Sequence, residues 1–277
     1  GGMEYPTLFT GGANMFAPLG TSQPEGVTVH EFGHQFWYGL VGNNEFEEAW
    51  LDEGFNTYST DRVMRTAWPP FKDYEFYFGG RGADQTVGIP YVFHEFELQG
   101  RLPDITGLRS GGKSDVMARK GWEYNNSYGL NSYEKPATSL MMLERYLGEE
   151  YMYRVMRTYH HRWRFKHPTS QDFINTVNEV TGKNMNWFFE NTWFSSNLFD
   201  YSVSSITNRL ISEPAGIFNF NGIPFKPAQQ DTGRPMYECT VIVTREGEAI
   251  APIEILVTFQ NGDKRTEAWD GQYRWKK

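Results

Sequence analysis

The chain has 277 residues, a formal net charge of −8 and a single cysteine, Cys239. Aromatic residues make up 17% and charged residues 22% of the sequence, which is typical of a packed globular protein and excludes a low-complexity or collagen-like chain. The acidic balance argues against a nucleic-acid partner, one cysteine excludes an internal disulfide, and no apolar run is long enough to span a membrane.

Apolar residues recur at helical spacing before about residue 198 and alternate after it. We predict helices in the first part at 24–42, 45–66, 133–146, 149–164, 170–181 and 185–194. Thr169 is the predicted cap of the helix at 170–181, and Gly182 ends it. Residues 99–131, rich in Gly, Ser, Asn and Asp, are predicted to form a long irregular insertion.

The C-terminal part has the composition of β-strands. Runs rich in Val, Ile and Thr predict strands at 237–245 and 250–260, and Asn261-Gly262 predicts a hairpin turn into a further strand at 264–269. The fold class is therefore predicted to be α+β, with one domain over 1–198 and a small β-sandwich over 199–277.

The segment His30-Glu31-Phe32-Gly33-His34 predicts a metal site. On a helix, residues i and i+4 share one face, so both imidazoles can reach one ion while Glu31 can hold a water molecule beside it. A catalytic zinc typically takes three protein ligands. If the first helix runs to Gly42 and an antiparallel helix returns over the same length, the residue that comes level with the histidines is Glu53.

The fuller string VHEFGHQFWYGLVGNNEFEEAWLDEGF resembles the aminopeptidase N family of gluzincin zinc metallopeptidases, which includes leukotriene hydrolase. Three more segments are similar to that family: Gly1-Gly2-Met3-Glu4, Ser132-Tyr133-Glu134-Lys135 and His167-Pro168-Thr169. The resemblance implies a thermolysin-like, mainly helical zinc peptidase domain followed by the small β-sandwich. It also implies a large β domain ahead of Gly1, so we expect the chain to be an N-terminally truncated fragment.

The resemblance implies a role for each matching residue. His30, His34 and Glu53 would ligate one Zn²⁺, and Glu31 would act as general base towards metal-activated water. Tyr133 would donate its hydroxyl to the oxyanion. The expected substrate is a peptide with a free N-terminus.

The Gly-x-Met-Glu segment is expected to bind that substrate. Glu4 would accept the α-ammonium group, and Gly2 and Met3 would run extended beside the substrate backbone like an added strand. Two positions depart from the family pattern. Tyr5 replaces the usual Asn, which puts amine recognition or the shape of the first pocket in doubt, and Pro136 replaces a frequent Gly, which is expected to stiffen the approach of Tyr133.

Other polar and aromatic residues near the motif have ordinary interpretations. We expect Glu47, Glu48 and Asp52 to lie on a solvated helix face, with support of the third ligand as the alternative. We expect Trp37, Tyr38 and Trp50 to belong to the core. The remaining histidines lack ligand spacing and are predicted to be surface or packing residues, namely His94, His160, His161 and His167.

Three functions fit this sequence. The first is a zinc aminopeptidase that removes N-terminal residues from peptides. The alternatives are an epoxide hydrolase with the same zinc ligands and residual aminopeptidase activity, and a non-catalytic scaffold that keeps the fold for protein binding. The compartment and the oligomeric state are left open by the sequence.

Overall fold

The computed structural model describes residues 2–12, 23–67, 72–76, 91–95, 115–125, 127–211, 218–225 and 236–277. The chain divides into two compact units, Gly1–Ser196 and Asn197–Lys277. Helices dominate the first and strands the second, so the fold is α+β as predicted. Of the predicted insertion at 99–131, residues 99–114 and 126 lie outside the described residues.

The first unit combines short hairpins with a helical body. Its strands are β1 (Met3–Tyr5), β2 (Leu8–Thr10), β3 (Lys72–Phe76) and β4 (Tyr91–Glu95), which pair as antiparallel hairpins β1–β2 and β3–β4. Its α-helices are α1 (Gln23–Gly33), α2 (Glu45–Glu48), α3 (Glu53–Ala67), α4 (Lys135–Leu147), α5 (Glu149–Trp163), α6 (Ser170–Thr181) and α7 (Asn186–Thr192). A π-helix, Leu130–Glu134, leads into α4, and 3₁₀ turns occur at Ala49–Leu51 and Gly121–Glu123.

The later helices lie where the sequence predicts them. Helix α6 has the predicted bounds because its signals are local: Thr169 and Asp172 form a capping box, and Gly182 closes the helix with φ +66°. Helices α4, α5 and α7 match their predictions to within two residues at each end.

The predicted bounds of the two helices around the metal motif, 24–42 and 45–66, are wrong. Helix α1 ends at Gly33, after which the amides of Phe36 and Trp37 donate to the Gly33 carbonyl and Tyr38 takes φ +92°. A residue with positive φ cannot continue a right-handed helix. The segment predicted as a second helix is divided into α2, a 3₁₀ turn and α3.

An aromatic core fixes the position of α3. Phe55, two residues into the helix from Glu53, packs its ring 4.7 Å from that of Phe173 on α6 and 6.3 Å from that of Trp193 after α7. All three side chains are fully buried. Burying one such side chain stabilises a fold by about 1.5–3 kcal/mol. The start of α3 is therefore firmly held.

The second unit consists of strands β5 (Tyr201–Leu210), β6 (Phe218–Phe220), β7 (Ile223–Phe225), β8 (Tyr237–Arg245), β9 (Ile253–Thr258), β10 (Lys264–Trp269) and β11 (Trp275–Lys276). Three strands form a sheet in the order β11-β8-β5, and β6–β7 and β9–β10 are hairpins. The predicted strands 237–245 and 264–269 are confirmed, and the one predicted over 250–260 is shorter. Gly262, at φ +89°, lies in the loop between β9 and β10. The sandwich packing of these sheets stays a prediction.

Candidate active site

Three side chains from the start of α3 and the end of α1 converge. Nε2 of His30 lies 3.2 Å from Nε2 of His34, and each of these nitrogens lies 3.2 Å from Oε2 of Glu53. His30 is in the last turn of α1, His34 follows its final residue, and Glu53 begins α3. The two continuous helices from which Glu53 was predicted are not formed, yet the Glu53 carboxylate lies beside both imidazoles.

This triangle of ligand atoms suits a tetrahedral metal ion. Ligand bonds of 2.0–2.1 Å to zinc place neighbouring ligand atoms about 3.3 Å apart in a tetrahedron. Two imidazole nitrogens and one carboxylate oxygen are a donor set that zinc accepts. Among the residues that the structure describes, a second group of possible ligand atoms combines His34 with Glu4 and Asp52.

Polar contacts between the two helices hold the histidines in place. Nδ2 of Asn56 on α3 donates to the carbonyl of His30 over 2.6 Å. A Cβ atom on Gly33 would come within 1.9 Å of Oδ1 of Asn56, so α1 can approach α3 this closely only with glycine at that position. The sequence motif includes Gly33 but carries no signal for Asn56.

Glu31 lies beside the three ligand candidates and is 6% exposed. Its Oε2 atom is buried and has no hydrogen-bond partner among the described residues. Burial raises the pKa of Glu31 above its usual range, while His30 and His34 oppose this and the carboxylates of Glu4 and Glu53 add to it. A buried carboxylate with one open oxygen and a raised pKa can accept and return a proton.

Asp52 is buried, which contradicts the expectation of a solvated helix face. Its Oδ1 atom lies 2.6 Å from Nδ1 of His34, and the side chains are 2% and 1% exposed. The carboxylate favours a proton on Nδ1, which leaves Nε2 free to bind a metal. Glu47 is exposed as expected, whereas Glu48 accepts a hydrogen bond from the amide of Ser170.

Tyr133 reaches the site from the π-helix. Its hydroxyl donates to Oε1 of Glu53 over 2.5 Å, and its ring stacks on His30 with centroids 6.0 Å apart. Burial would raise the pKa of Glu53, but hydrogen bonds from His30, His34 and Tyr133 outweigh it and lower the pKa to about 2. Burial and the charge of Glu53 raise the pKa of Tyr133, so the hydroxyl stays protonated.

The residues predicted to bind substrate, Gly2, Met3 and Glu4, lie in and just before strand β1, beside Glu31 and the histidines. The backbone of Gly2 lies against Glu31, since a Cβ atom there would come within 2.5 Å of the Glu31 carboxyl group. Met3 is 45% exposed, and Glu4 offers a carboxylate oxygen within 4.8 Å of ligand atoms of His34 and Asp52. In the described part of the chain, β1 pairs only with β2.

Gln35 fixes this hairpin beside the histidines. Its Nε2 atom donates to the carbonyl of Tyr5 over 3.0 Å, and its Oε1 atom accepts from the amide of Thr7 over 3.1 Å. Because Gln35 follows His34 directly, these bonds hold β1 against the end of α1. Sequence reasoning missed this residue.

The prediction that Tyr38 belongs to the core is wrong. Trp37 and Trp50 are buried, but Tyr38 is exposed and in contact with Glu45. Burial and the neighbouring charges of Glu4 and Glu53 raise the pKa of Glu45. The site is therefore strongly acidic and favours a positively charged ligand group.

The chain matches a known protein family over most of its length. The peptidase family M1 domain matches residues 1–193, which hold every residue of the site. The chain belongs to peptidase family M1.

Curated relatives of this M1 chain are distant and much longer. It is 26% identical over 159 residues to "Aminopeptidase 2, mitochondrial" of Saccharomyces cerevisiae, covering 57% of the chain and 15% of that protein. It is 25% identical over 178 residues to "Leukotriene A-4 hydrolase homolog" of Botryotinia fuckeliana, covering 64% of the chain and 25% of that protein. The M1 chain thus spans a quarter or less of the length of these two relatives.

A solved structure shares the fold. Legionella pneumophila aminopeptidase A, in complex with aspartic acid, matches 98% of the M1 chain and 26% of its own chain with a TM-score of 0.52 and 15% identity. In the described part of the M1 chain, no helix is both long and apolar enough to cross a membrane.

Proposed function

We propose that the chain is a zinc-dependent aminopeptidase that removes N-terminal residues from peptides. The observation that carries this proposal is the 3.2 Å triangle of His30, His34 and Glu53 atoms, with the open carboxylate of Glu31 beside it. The aminopeptidases among the relatives support the same activity. Catalysis would belong to the domain proposed over 1–198, and the domain over 199–277 would be accessory to it.

His30, His34 and Glu53 would hold one Zn²⁺. When bound, zinc lowers the pKa of water to about 7 and polarises a carbonyl group. The hydrogen bond between Asp52 and His34 keeps one imidazole in the tautomer that binds metal through Nε2. His30, His34 and Glu53 would thereby place the scissile amide beside the acidic groups of the site.

Glu31 is the proposed general base. Its carboxylate takes a proton from the attacking water and passes it to the leaving amine. Burial supports both steps, because a carboxylate with a raised pKa binds a proton more firmly than a solvated one and can return it as an acid. General acid–base catalysis of this kind contributes about 10²–10⁴-fold to the rate.

Tyr133 is the proposed oxyanion donor. Its protonated hydroxyl, which lies on Glu53, can donate instead to the oxygen that becomes negative as the carbonyl is attacked. The π-helix aims the side chain at this position, and such helices frequently occur at functional sites. Removing one oxyanion donor raises a reaction barrier by about 2.7–4 kcal/mol in other enzymes.

Glu4 is the proposed ligand of the substrate's α-ammonium group. Its carboxylate lies close to His34 and Asp52, so an amine bound there would place the first peptide bond beside the histidines. Met3 and Glu4 lie on strand β1 and Gly2 directly precedes it, so this segment could pair with an extended substrate backbone. Binding of the α-ammonium group by Glu4 would limit cleavage to the N-terminal residue.

An epoxide hydrolase is the alternative that a relative favours, since one similar protein carries the name leukotriene A-4 hydrolase homolog. The same carboxylates and imidazoles could activate water against an epoxide. A non-catalytic scaffold is disfavoured, because the residues proposed for metal binding, proton transfer and amine binding are all in place.

Glu31→Gln tests the catalytic proposal. This variant preserves shape but cannot take a proton, so we expect it to bind one zinc per chain while hydrolysis of aminoacyl chromogenic amides falls by at least about 10²-fold. Glu47→Gln, an exposed glutamate on α2, is the matched control. Undiminished turnover in Glu31→Gln would refute the role of Glu31, and failure of the native chain to bind zinc would refute the ligand set.

A further inference from the structure

A chain of hydrogen bonds connects Asp115 to the π-helix. Oδ2 of Asp115 accepts from the Ser127 hydroxyl over 2.5 Å and from the amide of Asn125 over 2.7 Å. Nδ2 of Asn131 donates to the same Ser127 hydroxyl over 3.0 Å and to the Ser127 carbonyl over 3.2 Å. Asn131 belongs to the π-helix that carries Tyr133.

The hydrogen bonds of this chain are hard to replace because the groups that form them are largely buried. Asn131 is fully buried, so water cannot easily replace Ser127 as its partner. The Asp115 side chain is only 9% exposed, and its Oδ1 atom forms an ion pair over 3.1 Å with the more exposed Arg119. The hydrogen bond from Ser127 is the main cause that holds the pKa of Asp115 below its usual range, so the acceptor is a carboxylate at neutral pH.

Aromatic contacts connect the same loop to Tyr133 directly. The ring of Tyr128 lies 6.5 Å from that of Tyr133 and 6.1 Å from that of Tyr124. The Tyr124 hydroxyl in turn donates to the carbonyl of Met117 over 2.5 Å. A shift of the loop that Asp115 holds would therefore also move Tyr128, whose ring contacts that of Tyr133.

We propose that Asp115 is a positioning residue that holds Tyr133 in its catalytic orientation through Ser127 and Asn131. The inference rests on the proposed function of Tyr133 as oxyanion donor. A π-helix is rare and occurs mostly as a single turn within an α-helix, so contacts from outside the helix are expected to stabilise it here. Asp115 supplies that support by fixing Ser127, the residue whose carbonyl also accepts from the Asn131 amide over 2.9 Å.

The test is a double-mutant cycle on the full zinc-loaded chain. Asp115→Ala is expected to lower kcat about tenfold with little change in KM, because a misplacement of 1 Å can reduce a rate about 10²-fold. Asp115→Asn keeps an acceptor for Ser127 and is expected to recover most of the loss. In a Tyr133→Phe background, Asp115→Ala is expected to have an effect of less than about twofold, since residues that act as a unit are not additive.

Controls separate this role from general folding. Asp263→Ala removes another loop aspartate, which accepts a hydrogen bond from Asn261 in the second unit, and is expected to leave kcat unchanged. Amide hydrogen exchange is expected to rise over residues 127–134 in Asp115→Ala and to stay native in α6. An equal loss of kcat in the presence and absence of the Tyr133 hydroxyl would overturn the inference.

A failure of the proposed function is distinguishable from a failure of this inference. If Tyr133→Phe alone leaves kcat unchanged, the oxyanion role of Tyr133 is wrong and the catalytic part of the inference falls with it. If Tyr133→Phe lowers kcat but exchange over 127–134 is unchanged by Asp115→Ala, the function stands and the positioning role of Asp115 is wrong.

Discussion

Asp52 Oδ1 lies 2.6 Å from Nδ1 of His34, and both side chains are almost completely buried. A carboxylate that receives the second N–H of a metal-binding imidazole fixes its ring and raises its basicity. Asp52 directly precedes Glu53, so the turn that begins α3 supplies both a proposed ligand and the support of another.

The first prediction concerns the affinity for zinc. Asp52→Ala is expected to weaken zinc binding by about 10–100-fold, and Asp52→Asn, which keeps a hydrogen-bond acceptor, by less. Competition with a chromogenic chelator measures both dissociation constants. Equal affinities in the native protein and Asp52→Ala would contradict this support of His34.

Amine recognition by Glu4 gives the second prediction. Glu4→Gln is expected to weaken inhibition by an amino-acid hydroxamate with a free amine by about tenfold or more, since a hydrogen bond to a charged group contributes about 1.5–3 kcal/mol. Inhibition by the N-acetylated hydroxamate is expected to change little. Inhibition constants for Glu4→Gln and the control Glu47→Gln measure the difference, and equal losses for both inhibitors would argue against an ammonium site at Glu4.

The third prediction uses close packing between α3 and α4. A Cβ atom on Gly54 would come within 2.4 Å of Cγ of Pro136, a rigid ring in the first turn of α4. Gly54→Ala is therefore expected to lower the free energy of unfolding by about 1–3 kcal/mol. Gly129, with helical φ and ψ and nothing within 4 Å of an added Cβ, is the control. Urea unfolding compares the two variants, and equal stabilities would contradict the packing.

The fourth prediction concerns stability in acid. Burial, together with the charges of His161 and Arg164, lowers the pKa of His160, which packs on Phe36 and Trp37. The unfolded chain therefore binds a proton at His160 more readily than the folded chain. The free energy of unfolding should fall as the pH drops through about 6.5, and His160→Leu should reduce that fall. Urea titrations at about pH 5 and about pH 8 measure the slope, and an unchanged slope would refute the assignment.

Local signals predicted local structure well. Helix α6 follows from Thr169, Asp172 and Gly182, because each acts within one turn of the helix end. Strand β8 follows from its composition in the same way. The i, i+4 spacing of His30 and His34 likewise brought two imidazoles together without any tertiary information.

Long-range contacts could not be predicted from the sequence. The close approach of α1 to α3 involves Gly33 and Asn56, which are far apart in the sequence, and the buried carboxylate of Asp52 has its partner in His34. The π-helix under Tyr133 has no known sequence signature, and the spacing of Asp115, Ser127 and Asn131 becomes meaningful only once the loop has folded. Asp52 was predicted to be exposed because aspartate is a charged residue type. It is buried instead, in contact with His34.

The most direct test of the aminopeptidase proposal is hydrolysis of a panel of aminoacyl chromogenic amides and their N-acetylated counterparts by the zinc-loaded chain. We predict turnover of the free-amine substrates, loss of that turnover on N-acetylation, and its disappearance when zinc is removed by a chelator. Equal hydrolysis of free and acetylated substrates, or turnover that survives chelation, would contradict a zinc aminopeptidase built on His30, His34, Glu53 and Glu4.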